Sequence, residues 1–580
     1  MNPRSGHLQA CARQSRPREP SGPSTSHERA VYTGRVADDA ATADDVTLGA
    51  LIDGLAGRHG DRLALVAQDR RLSFAELAEE SDRAALALAR VGVSVGTRVG
   101  LLMPNRPAWL ACAIGAWKLG AIVVPLNTLF RAPELEYALR HADVSVLISV
   151  AGFLRHDYAA MLRELCPEIG RLGAAPLRSP RLPSLRQVIV AGEPRPAGAL
   201  AFDAWLRGEV APDREWLAAA KKQVSPALEA GIFFTSGSTA APKGVVHTHA
   251  TMRQAALNVA DRLGITPQDR TWAYLPFFFN GGLVGVALAT LSRGATLLLQ
   301  EVFEAGETLE LMRTEGCTLL FAWPHQAQAL IAHPTFDRNT LRLHKGPGAN
   351  ALWAAHLFPP NHQAVGTWGM TETGPMACST RYDDPLALRS STHGRAMPGL
   401  EVRIVDPVSG APLPAEAEGE IVVRGSSLMA RYYKMDPARC FDRDGFFHTG
   451  DLGRLDESGH LHFIGRIKDV IKTAGVNVAA AEVEAVLASH PEVRLACVTA
   501  VSHATRGEDV AAFIVPREEG CNQEDLLQFC RDRLASYKVP RHLFFCAEGD
   551  LPVLGSGKIA KQPLRVLAEQ RLRGANKAAC

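Results

Sequence analysis

The sequence predicts a multidomain α/β protein. It reads as a large N-terminal domain of helix-covered parallel sheets carrying a small antiparallel, barrel-like subdomain, followed by a small α+β C-terminal domain. Three observations predict this. Short apolar runs at 99–103, 121–126, 144–148 and 188–190 alternate with helical patterns, the rhythm of parallel strands joined by crossover helices. Past Leu400 the runs at 401–405, 419–424 and 460–464 sit between Gly, Pro and Asp turns, as antiparallel strands do. Finally, 580 residues exceed what one hydrophobic core holds. The expected division is a disordered extension over 1–47, the large domain over 48–466 and the small domain over 467–575.

Taken in order, residues 1–47 are rich in Arg, Ser, Pro and Gly and lack an apolar core segment, so they read as disordered, with no secretory h-region. A mitochondrial transit peptide is the alternative, opposed by Glu19 and Glu28, and the ending Ala578-Ala579-Cys580 does not read as a peroxisomal address. From Leu51 to Gly92 the apolar residues recur at helical spacing. The longest apolar stretch, 109–126, is interrupted by Lys118, broken by Gly115 and Gly120 and closed near Pro125. It reads as a buried helix followed by a buried strand rather than a membrane span. Beyond Arg466 the pattern gives a helix at 479–489 with Val483, Val486 and Leu487 on one face, strands at 496–501 and 510–515, and a helix at 523–534.

Composition narrows the function. Hydrophobic residues make up 47% and charged residues 21%, an ordinary globular balance. A formal net charge of +2 gives no electrostatic case for nucleic acid, so any anion must be met by a local site. Eleven cysteines without a CxxC pair suit reduced thiols and a cytoplasmic location better than disulfides or structural zinc.

One such local site is legible. Thr235-Ser236-Gly237-Ser238-Thr239-Ala240-Ala241-Pro242-Lys243-Gly244 follows an apolar run and combines hydroxyls, glycines and a lysine. Backbone N–H groups freed by a glycine turn, short hydroxyls and one ammonium together surround a polyanion. Pro242 before the lysine and Gly244 after it exclude a Walker loop. The bland reading is a Ser/Gly-rich linker. Four further stretches carry chemistry. Gly366-Thr367-Trp368-Gly369-Met370-Thr371-Glu372 offers a flat aromatic, a hydroxyl and a carboxylate, suited to a purine, a phosphate and Mg²⁺. His448-Thr449-Gly450-Asp451 offers a carboxylate able to accept both hydrogen bonds of a ribose diol. A charged, glycine-bounded segment runs from Gly465 to Gly475, and Gly557-Lys558-Ile559 lies near the end. Taken singly, Trp368 is more often core, Glu372 or Asp451 a cap or surface group, and Lys558 a surface charge.

Together and in this order, these motifs resemble those of the adenylate-forming superfamily of acyl-CoA synthetases, adenylation domains and luciferases, over roughly 47–567. The resemblance implies ATP, Mg²⁺ and CoA as ligands and a small-molecule carboxylic acid as substrate, with no nucleic acid and no transmembrane segment; a homodimer stays open. It implies that Thr235, Ser236, Gly237, Ser238, Thr239 and Lys243 hold the β- and γ-phosphates. Trp368, Thr371, Asp451, Arg466 and Lys558 would bind the rest of ATP, with Thr371, Glu372 and Lys558 catalytic and Glu372 and Thr235 at the metal. Lys468 falls on the hinge of a mobile C-terminal domain, and Lys472 and Gly475 on the thiol channel. Val124-Pro125-Leu126-Asn127-Thr128 resembles the CoA-ligase branch, since peptide-synthetase domains usually carry an acid where Asn127 stands.

The acyl pocket is expected at Phe277, Phe278, Phe279 and Trp323, with room left by Asn280-Gly281-Gly282, which favours a fatty, alicyclic or aromatic acid. Departures from the family pattern are Ala240 for glycine, Phe279 for histidine, Leu554 for threonine, and Lys345-Gly346-Pro347-Gly348 near the adenine and substrate. The alternatives are a stand-alone enzyme loading a carrier-protein phosphopantetheine, or a catalytically silent nucleotide-binding protein.

Overall fold

The structure is a computed structural model of the chain; it describes residues 32–33, 46–68, 70–170, 176–208, 213–235, 242–351, 353–473, 476–503, 506–517, 520–553 and 559–578. Its largest sheet has eight strands, ordered Leu200–Ala201, Gln187–Ala191, Val146–Val150, Arg98–Leu102, Ile122–Pro125, Glu229–Thr235, Lys243–Thr248 and Arg431–Tyr432. The first six run parallel, and the last two turn antiparallel. A second sheet is parallel through Leu319–Leu320, Arg270–Ala273, Thr296–Leu299 and Leu63–Val66, and closes on antiparallel Arg71–Ser73.

The helices around these sheets start where the sequence supplies caps. Phe74–Arg90 begins on a reciprocal box in which the Glu76 amide donates to Ser73 Oγ at 3.2 Å and the Ser73 amide donates to Glu76 Oε2 at 2.7 Å. Pro107–Lys118 opens on a proline, which loses no bond in a first turn. At Gly115 a Cβ would lie 2.8 Å from Ser81 O, so these two helices cross where one has no side chain. Lys118, in the stretch that superficially suggests a membrane span, is fully buried and meets Asp53 at 2.7 Å and Asp82 at 2.6 Å. A buried ammonium survives through such pairing. Among the described residues no helix is long and apolar enough to cross a membrane.

Two expectations need correction. The helical spacing from Leu51 to Gly92 hides the strands Leu63–Val66 and Arg71–Ser73 between the helices Leu48–His59 and Phe74–Arg90, because strands this short carry too few residues to set a period. Within the stretch expected to be disordered, Tyr32–Thr33 pairs antiparallel with Val402 and Glu401 as an edge strand. An open sheet edge offers unpaired backbone groups to any passing segment.

A third, antiparallel sheet continues through Leu400–Val405, Gly419–Gly425, Phe447–Leu455 and Leu461–Arg466. After the short turn Ile467–Asp469 a separate sheet begins at Val470–Thr473, paired with Val476–Ala479. It continues through Gly507–Pro516 and Val493–His503, with His542–Phe545 parallel to Gly507–Pro516. Helices Ala480–Ala488 and Gln523–Arg531 lie with one apolar cluster of this unit, and Lys561–Ala578, a helix the sequence reading does not anticipate, with another. The nine described cysteines are free thiols, seven of them buried, in keeping with small apolar core roles.

Candidate active site

The ends of the stretch expected to form the phosphate loop, Thr235 and Lys243, sit on a hairpin of the main sheet. Glu229–Thr235 and Lys243–Thr248 pair so that Thr235 faces Lys243 across the turn. Ser236, Gly237, Ser238, Thr239 and Ala240 lie outside the described residues. Both ends of the turn are held by Tyr137 from the helix Ala132–His141. Its hydroxyl donates to Pro242 O at 2.9 Å, and its ring meets Phe234 edge-on at 6.3 Å. Gly244 allows the return strand to lie close, since a Cβ there would sit 2.9 Å from Ile232 Cγ2.

Lys243–Thr248 then pairs with Arg431–Tyr432, which places the Tyr432 ring 4.6 Å beneath the Lys243 ammonium. The Tyr432 hydroxyl donates to Glu372 Oε1 at 2.9 Å. Burial, with Glu372 beside it, pushes the Tyr432 hydroxyl well above its ordinary range, so it stays a donor. Glu372 itself is buried in the turn Thr371–Thr373, which Gly374 ends in a left-handed conformation at φ 67°.

The carbonyl of Thr371 receives two hydrogen bonds from distant elements. His247 Nε2, on the lysine strand, donates at 2.8 Å, and Asn280 Nδ2 donates at 3.2 Å. Complete burial pushes the His247 imidazole down to about 4, so it acts as a neutral donor at physiological pH.

At the other side of the turn, Trp368 lies in a short strand paired with Cys378–Ser379, and its indole N–H donates to Asp451 Oδ2 at 3.0 Å. Asp451 Oδ1 meets Arg466 Nε at 2.7 Å, across the register Asp451↔Arg466. Arg466 Nη1 also donates to Thr449 O at 3.1 Å. Only 3% of Asp451 is exposed, and this burial raises its carboxyl above the usual range against the opposing pull of Arg466 and Trp368. Trp368 is therefore more than a flat face, because it also orients the carboxylate.

The pocket residues group in part as the sequence suggests. Phe278 and Phe279 pack at 4.5 Å, and Phe279 meets Trp323 edge-on at 5.9 Å. Phe277 is not part of this wall, since it is fully buried against Trp109 at 5.2 Å. Three consecutive aromatics cannot all face one way. The helix Gly281–Leu288 is wound as a π-helix, a widened form that recurs at functional sites. A Cβ on Gly281 would meet nothing within 4 Å, whereas one on Gly282 would sit 2.2 Å from Pro276 O. Only the first glycine leaves room.

Lys345, in the stretch expected near the adenine and substrate, points its side chain inward. Its ammonium is buried on Asp269 Oδ2 and Gly264 O, at 2.8 and 2.7 Å, as an internal ion pair. Lys468 and Lys472 are exposed, and the Lys472 amide donates to Glu508 Oε2 at 2.9 Å. Gly475, Leu554 and Lys558 lie outside the described residues. Tyr432, His247 and Tyr137 escaped the sequence reading. No local motif marks them, and only strand pairing and long-range contact bring them in.

A sheet hairpin carrying a lysine, a Thr-Glu turn beside it and an Asp–Arg pair across from that turn lie together on an α/β fold. The chain belongs to the AMP-binding enzyme family. The family model matches residues 53–433, and the model of the AMP-binding enzyme C-terminal domain matches residues 482–558. It is an enzyme of the acyl-CoA synthetase and ligase type, AMP-forming. It is 31% identical to the mitochondrial medium-chain acyl-CoA ligase ACSF2 of Bos taurus over 543 residues, covering 91% of this chain and 88% of that one. It is 32% identical to YngI of Bacillus subtilis (strain 168), which carries an acyl-CoA synthetase name, covering 90% of this chain and 96% of that one. Among solved structures, the anthranilate CoA ligase AuaEII in complex with anthranoyl-AMP superposes with a TM-score of 0.78 at 25% identity, covering 92% of this chain and 99% of that one. ATP-bound MatB from Rhodopseudomonas palustris gives 0.74 at 26% identity, covering 90% and 99%.

Proposed function

We propose that this chain converts a non-polar carboxylic acid, fatty, alicyclic or aromatic, to its acyl-adenylate with release of pyrophosphate, and then to its CoA thioester with release of AMP. The turn at Thr371 supports this most directly. Its carbonyl is held at once by His247 on the Lys243 strand and by Asn280, next to Phe279 of the aromatic corner. This link supports a turn that would carry the α-phosphate between the pyrophosphate grip and the acyl site, as in-line attack by a carboxylate requires.

The nucleophile is already ionised at neutral pH and needs no base. The protein's work is positioning and charge neutralisation. Lys243 and the hydroxyls from Thr235 to Thr239 hold the leaving pyrophosphate, Thr371 the α-phosphate, and Asp451 with Arg466 the ribose. Lys558 bridges the carboxylate and the α-phosphate. Glu372 fits Mg²⁺: it is a buried hard carboxylate held by the Tyr432 hydroxyl, whose ring also meets the Lys243 ammonium. Such single-carboxylate sites complete their shell with phosphate oxygens and water. When bound, Mg²⁺ neutralises the phosphate charge that builds as pyrophosphate departs.

For the second step, the unit beginning near residue 467 turns about Lys468, withdrawing Lys558 and bringing the segment of Lys472 and Gly475 to the thiol. The aromatic corner of Phe278, Phe279 and Trp323 favours a non-polar acid, as do relatives named for medium-chain and anthranilate substrates. The test is a panel of acids scored for pyrophosphate release, with and without CoA. Release with medium-chain or aromatic acids, and thioester only with CoA, is expected; no release with any acid overturns the reading.

A further inference from the structure

We propose that Tyr432 is a positioning residue that ties the phosphate-binding lysine to the metal-binding carboxylate, a role that rests on the function proposed above. The tyrosine touches both groups with different parts of one side chain. Its ring face lies 4.6 Å from the Lys243 ammonium, and its hydroxyl donates to Glu372 Oε1 at 2.9 Å. The ring quadrupole attracts the cation and limits where the long lysine stem points. The hydroxyl occupies one carboxylate oxygen, so Oε2 is the oxygen that would hold the metal. A carboxylate orients its metal better when its second oxygen is hydrogen-bonded.

The tyrosine is itself fixed. Strand pairing with Val245 sets its backbone, its amide donates to Cys440 Sγ at 3.5 Å, and Phe447 meets its ring edge-on at 6.5 Å. Its neighbour Arg431 grips Glu229 Oε1 through Nε and Nη2 at 2.9 and 2.6 Å. A core tyrosine needs one partner for its hydroxyl, and any backbone carbonyl would serve. This one uses a carboxylate sixty residues away, while its face serves the lysine on the neighbouring strand.

The two contacts separate by substitution. Equilibrium binding of α,β-methylene ATP, an unreactive analogue, would be measured by calorimetry with and without Mg²⁺ for the wild type, Tyr432→Phe, Tyr432→Leu and Glu372→Gln. Tyr432→Phe keeps the ring and drops the hydroxyl. It is expected to bind the metal-free analogue normally and to lose roughly tenfold of the tightening that Mg²⁺ brings, the size of one hydrogen bond to a charged group. Tyr432→Leu should weaken metal-free binding as well. In turnover, Tyr432→Phe should raise the Mg²⁺ requirement of adenylation and leave the KM for the acid alone. If Tyr432→Phe keeps the full Mg²⁺ tightening while Glu372→Gln loses it, the role of Tyr432 is overturned and the site assignment stands. If Glu372→Gln also keeps it, the site assignment itself falls. Equal loss in metal-free binding, acid KM and thioester formation from supplied acyl-AMP marks a merely structural tyrosine. Should Tyr432→Leu fail to fold, the Phe variant decides alone.

Discussion

Trp368→Phe probes the contact between the Trp368 indole and Asp451, the carboxylate proposed to hold the ribose. The substitution keeps a flat ring but removes the indole N–H that donates to Asp451 Oδ2 at 3.0 Å, together with part of the ring. A hydrogen bond to a buried charged acceptor contributes about 1.5–3 kcal/mol, which sets an upper bound of roughly tenfold to a hundredfold on kcat/KM for ATP. The pH dependence has a definite sign. Burial already raises the Asp451 carboxyl, opposed by Arg466 and Trp368. Removing the indole donor removes one of the two opposing groups, so the carboxyl rises further and protonates at higher pH. A protonated Asp451 accepts fewer ribose hydrogen bonds, so the acid limb of kcat/KM for ATP should move to higher pH. For a carboxyl raised in the folded state, the cost to stability is full above the folded value, fades as pH falls from the folded value to the unfolded one, and is gone below that. The deficit in unfolding free energy should therefore shrink in acid. Pyrophosphate release across pH, with denaturant unfolding at two pH values, measures both. An acid limb and a KM for ATP identical to wild type would refute the coupling.

Further outcomes follow from the same geometry. Lys345→Met strips the partner from buried Asp269 and should cost about 3–5 kcal/mol in denaturant unfolding, with the KM for ATP unmoved at permissive temperature; a stable variant with altered KM would return Lys345 to the site. Burial pushes the Asp269 carboxyl up, but Lys345 and the Thr266 amide more than offset this, so the stability it contributes is lost only as pH falls through its lowered folded value. Gly282→Ala should lower the thermal midpoint by an overpacking cost of about 1–3 kcal/mol, whereas Gly281→Ala should fold normally and change which acids are accepted. Equal effects from the two would contradict the open space at Gly281 and the 2.2 Å approach at Gly282. Lys558→Ala should lose adenylation far more than thioester formation from supplied acyl-AMP; equal loss of both steps would sink the two-conformation mechanism.

The chemistry-bearing residues were legible because their types and order are local. Thr235 to Gly244, Trp368 to Glu372 and Asp451 each declare themselves within about ten positions. The parallel sheet was legible too, since buried strands are uniformly apolar. What stayed hidden depends on pairing across the chain. Tyr432 lies 60 residues from Glu372, and His247 lies 124 from the carbonyl it holds. Neither distance leaves a trace in periodicity. Phe277 was misplaced because hydrophobicity does not say which face of a turn a ring takes. The inward ion pair of Lys345 went unseen because its partner, Asp269, is 76 residues away on another element.

Asn280 sets a limit on how this pocket can be retailored. It stands among the residues that would feel the acyl group, yet its amide also anchors the Thr371 carbonyl. Positions 279 and 281 are free variables for an engineer, one a replaceable ring and the other an open backbone. Position 280 is not. A library that varies all three together will confound a change of substrate with a slower adenylation step, and variants will be lost for the second reason while being scored for the first.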